Sequence, residues 1–174
     1  MFQETINLTD KNDKILGQVV RTDAHQQGLW HQRVTIFVFN SKNELLIQKR
    51  ASNMSWPNLW CGSASGHVLA GETYKQAGKR ELKEEIGIEC ELKYIGKIIE
   101  KFIAPSGETE NEHLSFFICN SDGPFNVQQE ELSEVKFESI ENIEKMLAEN
   151  PEQFTPGFKQ EFEYYIKVIK LGNY

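Results

Sequence analysis

From Gly66 to Ile88 the chain reads GHVLAGETYKQAGKRELKEEIGI, with carboxylates at Glu81, Glu84 and Glu85, at spacings of three and four. Such spacings bring side chains together on one helical surface. At about 100° per residue the three span an arc of roughly 100° that overlaps the stripe of Tyr74, Ala77, Gly78 and Leu82. The carboxylates therefore point toward the protein body. Like charges crowded there destabilise a helix unless something neutralises them. Hard divalent cations with oxygen ligands, Mg²⁺ or Mn²⁺, are the usual partners, and they are commonly shared with substrate phosphates. Thr73 and Gln76 form a capping box that starts the helix, and Gly87 before Ile88 is a left-handed stop leading toward a strand. The competing reading is a solvated acidic face paired with Lys75, Lys79 and Lys83. Against it, the lysines lie away from the apolar stripe and the carboxylates beside it.

The rest of the chain bounds what such a helix is embedded in. At 174 residues, 39% hydrophobic and 26% charged, the sequence suits one soluble domain with a real core. The expectation is a single domain over 1–174, with 1–30 as a β extension and 139–171 as C-terminal helices. A net charge of −7 argues against nucleic-acid polymers and anionic membranes, which call for clustered Lys and Arg. Any phosphate handled is then carried by a small molecule. Cys61, Cys90 and Cys119 are odd in number and widely spaced, which reads as reduced thiols without a disulfide frame. The start, MFQETINLTDKND, has neither a basic segment nor an apolar run, so a cytoplasmic location is expected.

Hydrophobic periodicity gives the layout. Ile6 to Leu8 and Ile15 to Arg21 flank a turn-like DKNDK and suggest a hairpin. Val34 to Asn40 is apolar at both parities, as in a strand covered on both faces, and LLIQKR follows after a short turn. Residues 51–65 read as a long loop. Leu92 to Phe102 and Leu114 to Cys119 are strands joined by the loop APSGETENE. A helix begins after Ser139 with Ile140, Ile143 and Leu147, and another carries Phe158, Phe162, Tyr165, Ile166 and Ile169. Burying these stripes predicts an α/β fold with a mixed sheet, the acidic helix on one side and the terminal helices on the other. Phe158, Tyr164 and Tyr165 leave open whether the chain is a monomer or a homodimer.

The acidic segment resembles the signature of the Nudix hydrolases. Gly66, Glu72, Arg80, Glu81, Leu82, Glu84, Glu85, Gly87 and Ile88 fill its constrained positions without a gap. The resemblance implies a Nudix-type α/β/α sandwich and a Mg²⁺- or Mn²⁺-dependent hydrolase of a small-molecule diphosphate, such as a nucleoside diphosphate joined to another moiety. It implies that Glu81, Glu84 and Glu85 bind the metal, and Gly66 opens the signature on the substrate side. Arg80, one turn before Glu84, would orient that carboxylate.

Outside the signature the chain also resembles type I isopentenyl-diphosphate isomerases, from about Arg21 to the FTPG of Phe154–Gly157. The carriers are R-T-D-A-H ending at His25, W-H-Q-R-V from Trp30, Q-K-R-A around Arg50, W-P-N-L-W from Trp56 to Trp60, G-H at Gly66-His67, and E-N-E at Glu110–Glu112. That resemblance implies a divalent-metal site of His25, His31, His67, Glu110 and Glu112. Three positions depart from it. Ser65 stands where the isomerases place a proton-handling Cys, and a hydroxyl is a far poorer proton donor or acceptor near neutral pH. Met54 stands where a diphosphate-gripping Lys is expected, and Glu81 where the isomerases tend to be basic.

Together these residues predict hydrolysis by a metal-activated water, with Glu110 or Glu112 as general base or auxiliary ligand and Glu81 as the rival base. Arg50 and Arg21 are candidate phosphate contacts. Trp60 and Trp56 are candidates for stacking on a base or covering an apolar tail, or for the core. An isomerase and a non-catalytic nucleotide-binding module remain the alternatives.

Overall fold

A strand covered on both faces must sit at the centre, and β3 (Trp30–Phe39) does. The computed structural model describes residues 4–172. β1 (Thr5–Thr9) and β2 (Ile15–Val20) form the opening hairpin, and β1 meets β3 at Leu8–His31. β4 (Leu45–Arg50) pairs with β3 at Phe39–Leu45 and with β5 (Trp60–Cys61), while β6 (Ala64–His67) lies antiparallel to residues 33–36 of β3. On the other edge β8 (Thr109–Asn120) runs parallel to β3, with β7 (Lys93–Ile103) antiparallel outside it. β9 (Leu132–Glu138) pairs with β4.

Alternation along β3 builds two cores. Val34, Ile36 and Val38 pack with Ala77 and Leu82 of α2 (Tyr74–Glu85). Phe37 and Phe39 pack with Ile143 of α3 (Ile140–Glu149) and with Phe158, Phe162, Tyr165 and Val168 of α4 (Pro156–Lys170). The result is the expected sandwich, with the acidic helix and the terminal helices on opposite faces. Tyr165 and Phe158 are thus internal. Burying each such large apolar side chain contributes roughly 1.5–3 kcal/mol.

The helix boundaries follow the sequence signals. At the start of α2 the Thr73 side chain accepts from the Gln76 N–H, and the Gln76 side chain accepts from the Thr73 N–H at 2.8 Å. Replacing Thr73 with Ala is expected to cost about 1 kcal/mol in urea unfolding, the usual worth of such a cap. At the other end Gly87 has φ of 71°, and the Ile88 N–H reaches back to the Leu82 carbonyl.

Four expectations need correction. The 1–30 segment is not purely β, because α1 (Arg21–Gln27) follows the hairpin. It is too short for a periodic signal and has no N-cap side chain. Glu110 and Glu112 lie in β8, not in a loop; the turn between β7 and β8 is confined to residues 104–108, closed by the Ala104 N–H on the Glu108 carbonyl. The polar composition of that stretch hid its pairing with β3 and β7. Residues 51–65 contain β5 and the start of β6. The thiols are not all reduced: Cys90 and Cys119 are joined in a disulfide and Cys61 is free and buried. Sequence spacing gives no hint of this pair because only the fold brings their Cα atoms to 6.3 Å. No helix among the described residues is long and apolar enough to cross a membrane.

Candidate metal centre and active-site cleft

Arg33 of β3, with residues of α1, β4, β6, α2, β8 and α4, lines a cleft of about 1270 Å³. Parity and register decide what lines it. In the parallel β3–β8 pair His31 lies beside Glu112, and β6 places His67 beside Arg33. α1 adds His25. Ligand atoms of His25, His31, His67 and Glu112 all lie within 4.8 Å of one another. His25 Nε2 and His67 Nε2 are 3.0 Å apart, and Glu112 Oε1 is 3.2 Å from His31 Nε2 and 3.5 Å from His67 Nε2.

The chemistry of this set fits a cation. His31 Nδ1 lies 2.8 Å from the Leu29 carbonyl, and donating to it leaves the neutral ring with a lone pair at Nε2. That lone pair then faces a carboxylate, which is repulsive unless a proton or a metal lies between. Burial pushes His67 down to about 3, with Arg21 and His31 adding to it against Glu112, so the ring stays neutral and able to ligate. Burial works against the charge of Glu112, yet Arg33, His31 and His67 outweigh it and hold this carboxyl well below the usual range. A nitrogen-rich set of this kind suits a divalent transition metal. Glu110 lines the same cleft outside this group, raised by burial and by Glu112.

The acidic helix reaches the cleft past Gly66. A side chain there would overlap the Glu81 carboxylate, so glycine leaves that carboxylate its place against β6. Glu85 accepts from Gln48 Nε2 at 2.8 Å and from the Ser65 N–H at 3.1 Å. Arg80 donates to both oxygens of Glu72, to Glu81 Oε1 at 2.6 Å, to Glu84 Oε2 at 3.0 Å and to the His67 carbonyl. The Arg80 contact to Glu84 is the one its spacing predicts. Lys75 and Lys79 pair with Glu91, and Lys83 with Glu89, so the lysines do not neutralise the helix carboxylates. Glu84 differs from its expected inward pose: its side chain is 54% exposed and sits on the cleft rim.

Burial, with Glu85 and Glu84 adding repulsion against Arg80, raises Glu81 to about 8; burial raises Glu85 to about 7. Both therefore bind protons more readily in the folded than in the unfolded chain. Their contribution to metal-free stability is full below about pH 4.5 and is lost as pH rises through 7 to 8. Heating scans of the chelator-treated protein are expected to show Tm falling from pH 6 to 8.5 by on the order of 5 °C. Millimolar Mn²⁺ should reverse the fall, because only the ionised carboxylates bind it. A flat profile would contradict the buried-acid reading.

The remaining expected contacts divide. Arg21 and Arg50 line the cleft, Arg21 paired with Glu4 and Arg50 donating to the Ser55 carbonyl. Trp56 lines it too. Trp60 does not: it is 7% exposed within the core, beneath Lys49 and Lys136.

Sequence reasoning passed over several residues. Arg33 lies inside the W-H-Q-R-V string and donates to Glu112 at 3.1 Å, to Glu100 at 3.3 Å and to Ser65 Oγ at 2.9 Å. Gln48 carries no motif. Glu161 had a signal, a carboxylate three residues after Phe158 and beside Phe162 on an apolar stripe.

The NUDIX domain model matches residues 29–158. Over 91% of its length the chain is 34% identical to isopentenyl-diphosphate Delta-isomerase 2 of Photorhabdus laumondii, covering 90% of that protein. Over 77% of its length it is 35% identical to an uncharacterized Nudix hydrolase of Pseudomonas aeruginosa, covering 78% of it. The crystal structure of DR0079 from Deinococcus radiodurans superposes with a TM-score of 0.78 at 24% identity, covering 92% of this chain and 98% of that one. With the filled acidic signature and its sandwich, this chain belongs to the Nudix family.

Proposed function

We propose that the chain is a divalent-metal-dependent hydrolase that splits the diphosphate linkage of a small molecule. The observation that carries this reading is the burial of Glu81 and Glu85, uncompensated by the neighbouring lysines, in the same cleft as Glu84 and Glu110. Mg²⁺ or Mn²⁺ held by Glu81, Glu84 and Glu85 would lower the pKa of a water and neutralise charge on the leaving phosphate. The chain's own groups supply the rest. Gln48 and the Ser65 N–H fix Glu85, and Arg80 ties Glu81 and Glu84 together. Glu110 is a candidate acceptor for the proton of the attacking water, with Glu81 as rival, since both stand above the ordinary carboxylate range. Arg50 and Arg21 line the cleft and are the candidate contacts for phosphate oxygens. His25, His31, His67 and Glu112 would hold a further ion.

The relatives named isomerases favour a second reading, double-bond migration in isopentenyl diphosphate. That reaction needs two proton-handling groups. Ser65 accepts from Arg33 at 2.9 Å, and a hydroxyl so engaged is a poor acid or base. Phosphorus and proton NMR of isopentenyl diphosphate and a nucleoside diphosphate panel, with Mg²⁺ or Mn²⁺, separates the readings. Splitting of a panel diphosphate into two phosphate monoesters, or into a monoester and phosphate where one end is unsubstituted, is the expected result. An alkene shift without such splitting would establish the isomerase, and binding without turnover a non-catalytic module.

A further inference from the structure

The cleft contains a second acidic group that the proposed hydrolysis does not use. Glu161 projects from α4 into the cleft beside Thr155 and Gly157 and is 3% exposed. Glu100, on β7 opposite Glu112, is fully buried behind it. One oxygen of Glu100 accepts from Arg33 at 3.3 Å; the other, Oε1, has no hydrogen-bond partner among the described residues. That orphaned oxygen faces Gly157, where a Cβ would stand 3.3 Å from it, so the backbone at the cleft wall is as thin as it can be over this atom. A buried carboxyl oxygen left without a partner is a cost to the fold that a bound hydrogen-bond donor would relieve.

Position along the cleft gives the pair a meaning. The segment from Gly62 to Gly66 runs beside it: a Cβ on Gly66 would meet the Glu81 carboxylate of the acidic helix, and one on Gly62 would stand 3.5 Å from Glu161 Oε2. Four residues of extended chain span at most about 14 Å. A substrate with its diphosphate at the acidic helix and a non-phosphate part of about that length can therefore reach Glu161 and Gly157, which line the same cleft. A hydrocarbon there would strip water from carboxylates and return no hydrogen bond.

We propose that Glu161, backed by Glu100, is a specificity-determining acceptor pair that takes a hydrogen-bond donor, a hydroxyl or an amino group, on the non-phosphate part of the substrate. The diphosphate end of this picture rests on the proposed function; the donor preference is tested apart from it. Titration calorimetry with Mn²⁺ present would compare methylene-bridged, non-hydrolysable analogues of alkyl diphosphates and their ω-hydroxyalkyl counterparts, three to six carbons long. For the best-fitting length the hydroxyl ligand is expected to bind about tenfold tighter, the worth of one hydrogen bond to a buried carboxylate. Glu161→Gln, whose amide oxygen still accepts, should retain part of that preference, and Glu161→Leu should abolish or invert it. A melting scan confirms that each variant is folded. Equal affinity at every length in the native chain would overturn the proposal. So would an unchanged preference in folded Glu161→Leu, or a manganese ion bound between Glu100 and Glu161 in a soaked crystal. Because these ligands cannot be split, failure of the hydrolase reading would show separately, as absent splitting of the cleavable diphosphates.

Discussion

Glu85→Gln is expected to lower metal-stimulated diphosphate turnover by about a thousandfold or more, while leaving the fold intact. The size follows from what the proposed mechanism would lose: a buried charge on the ion that would stabilise the transition state, in a site where electrostatic groups are worth several kcal/mol. The fold should survive because the amide oxygen can keep the Ser65 N–H while its NH2 donates to Gln48, whose own oxygen has no partner among the described residues and can be turned to accept, and because a neutral group relieves the repulsion from Glu81. The metal-free variant should therefore melt at or above the parent's temperature at pH 8, where the native carboxyl is largely ionised. Loss of turnover together with a higher Tm in chelator distinguishes a metal-binding carboxylate from a structural one. Steady-state diphosphate splitting and a pair of melting curves suffice, and wild-type turnover in the variant would contradict the mechanism.

The largest expected loss of stability comes from Arg33→Met. Its guanidinium is flanked by Glu112 and Glu100, 1% and 0% exposed at the side chain, and is raised well above its ordinary value by those two carboxylates despite the opposing effect of burial. Taking the cation away leaves two acids buried without their partner, a change that typically costs 3–5 kcal/mol. In a chain of this length that is on the order of 10 °C in Tm. Glu112 is the group that suffers most, since Arg33 leads the interactions keeping it ionised. Without Arg33 it would take up a proton more readily, so the penalty in urea unfolding should shrink from pH 8 to pH 5. Adding Glu100→Gln should recover part of the loss, because neighbouring sites sharing a partner do not add. A penalty under 1 kcal/mol at pH 8 would mean that solvent reaches these carboxylates.

Legibility in the sequence tracked how local the cause was. The acidic helix, its Thr73 box and its Gly87 stop depend on residues within one turn of each other, and all three are in the structure as written in the chain. The two-sided strand at Val34 to Phe39 was readable because both parities are apolar, which only a central strand tolerates. Convergence of His25, His31, His67 and Glu112 was another matter. Nothing in the spacing of four residues from α1, β3, β6 and β8 places them together, and it was the resemblance to the isomerases that grouped them. Arg33 and Gln48 stayed silent because each acts across strands, through partners far away in sequence. Trp60 misled in the opposite direction, since an aromatic in a Trp-Pro-Asn-Leu-Trp string suits a substrate wall or a core equally, and packing against Phe154 and its neighbours made it core. β9, LSEVKFE, has three apolar residues that do not alternate along its length and so does not announce itself as a strand.

The central claim is that Glu81, Glu84 and Glu85 grip divalent cations at the wall of this cleft. Diffraction from crystals soaked in manganese, collected at the manganese absorption edge, tests it most directly. An anomalous peak within about 2.2 Å of carboxylate oxygens of this helix, lost in Glu85→Gln, is the result expected for a hard-cation site. Manganese bound elsewhere in the crystal, with this helix bare and its carboxylates turned to solvent, would contradict it.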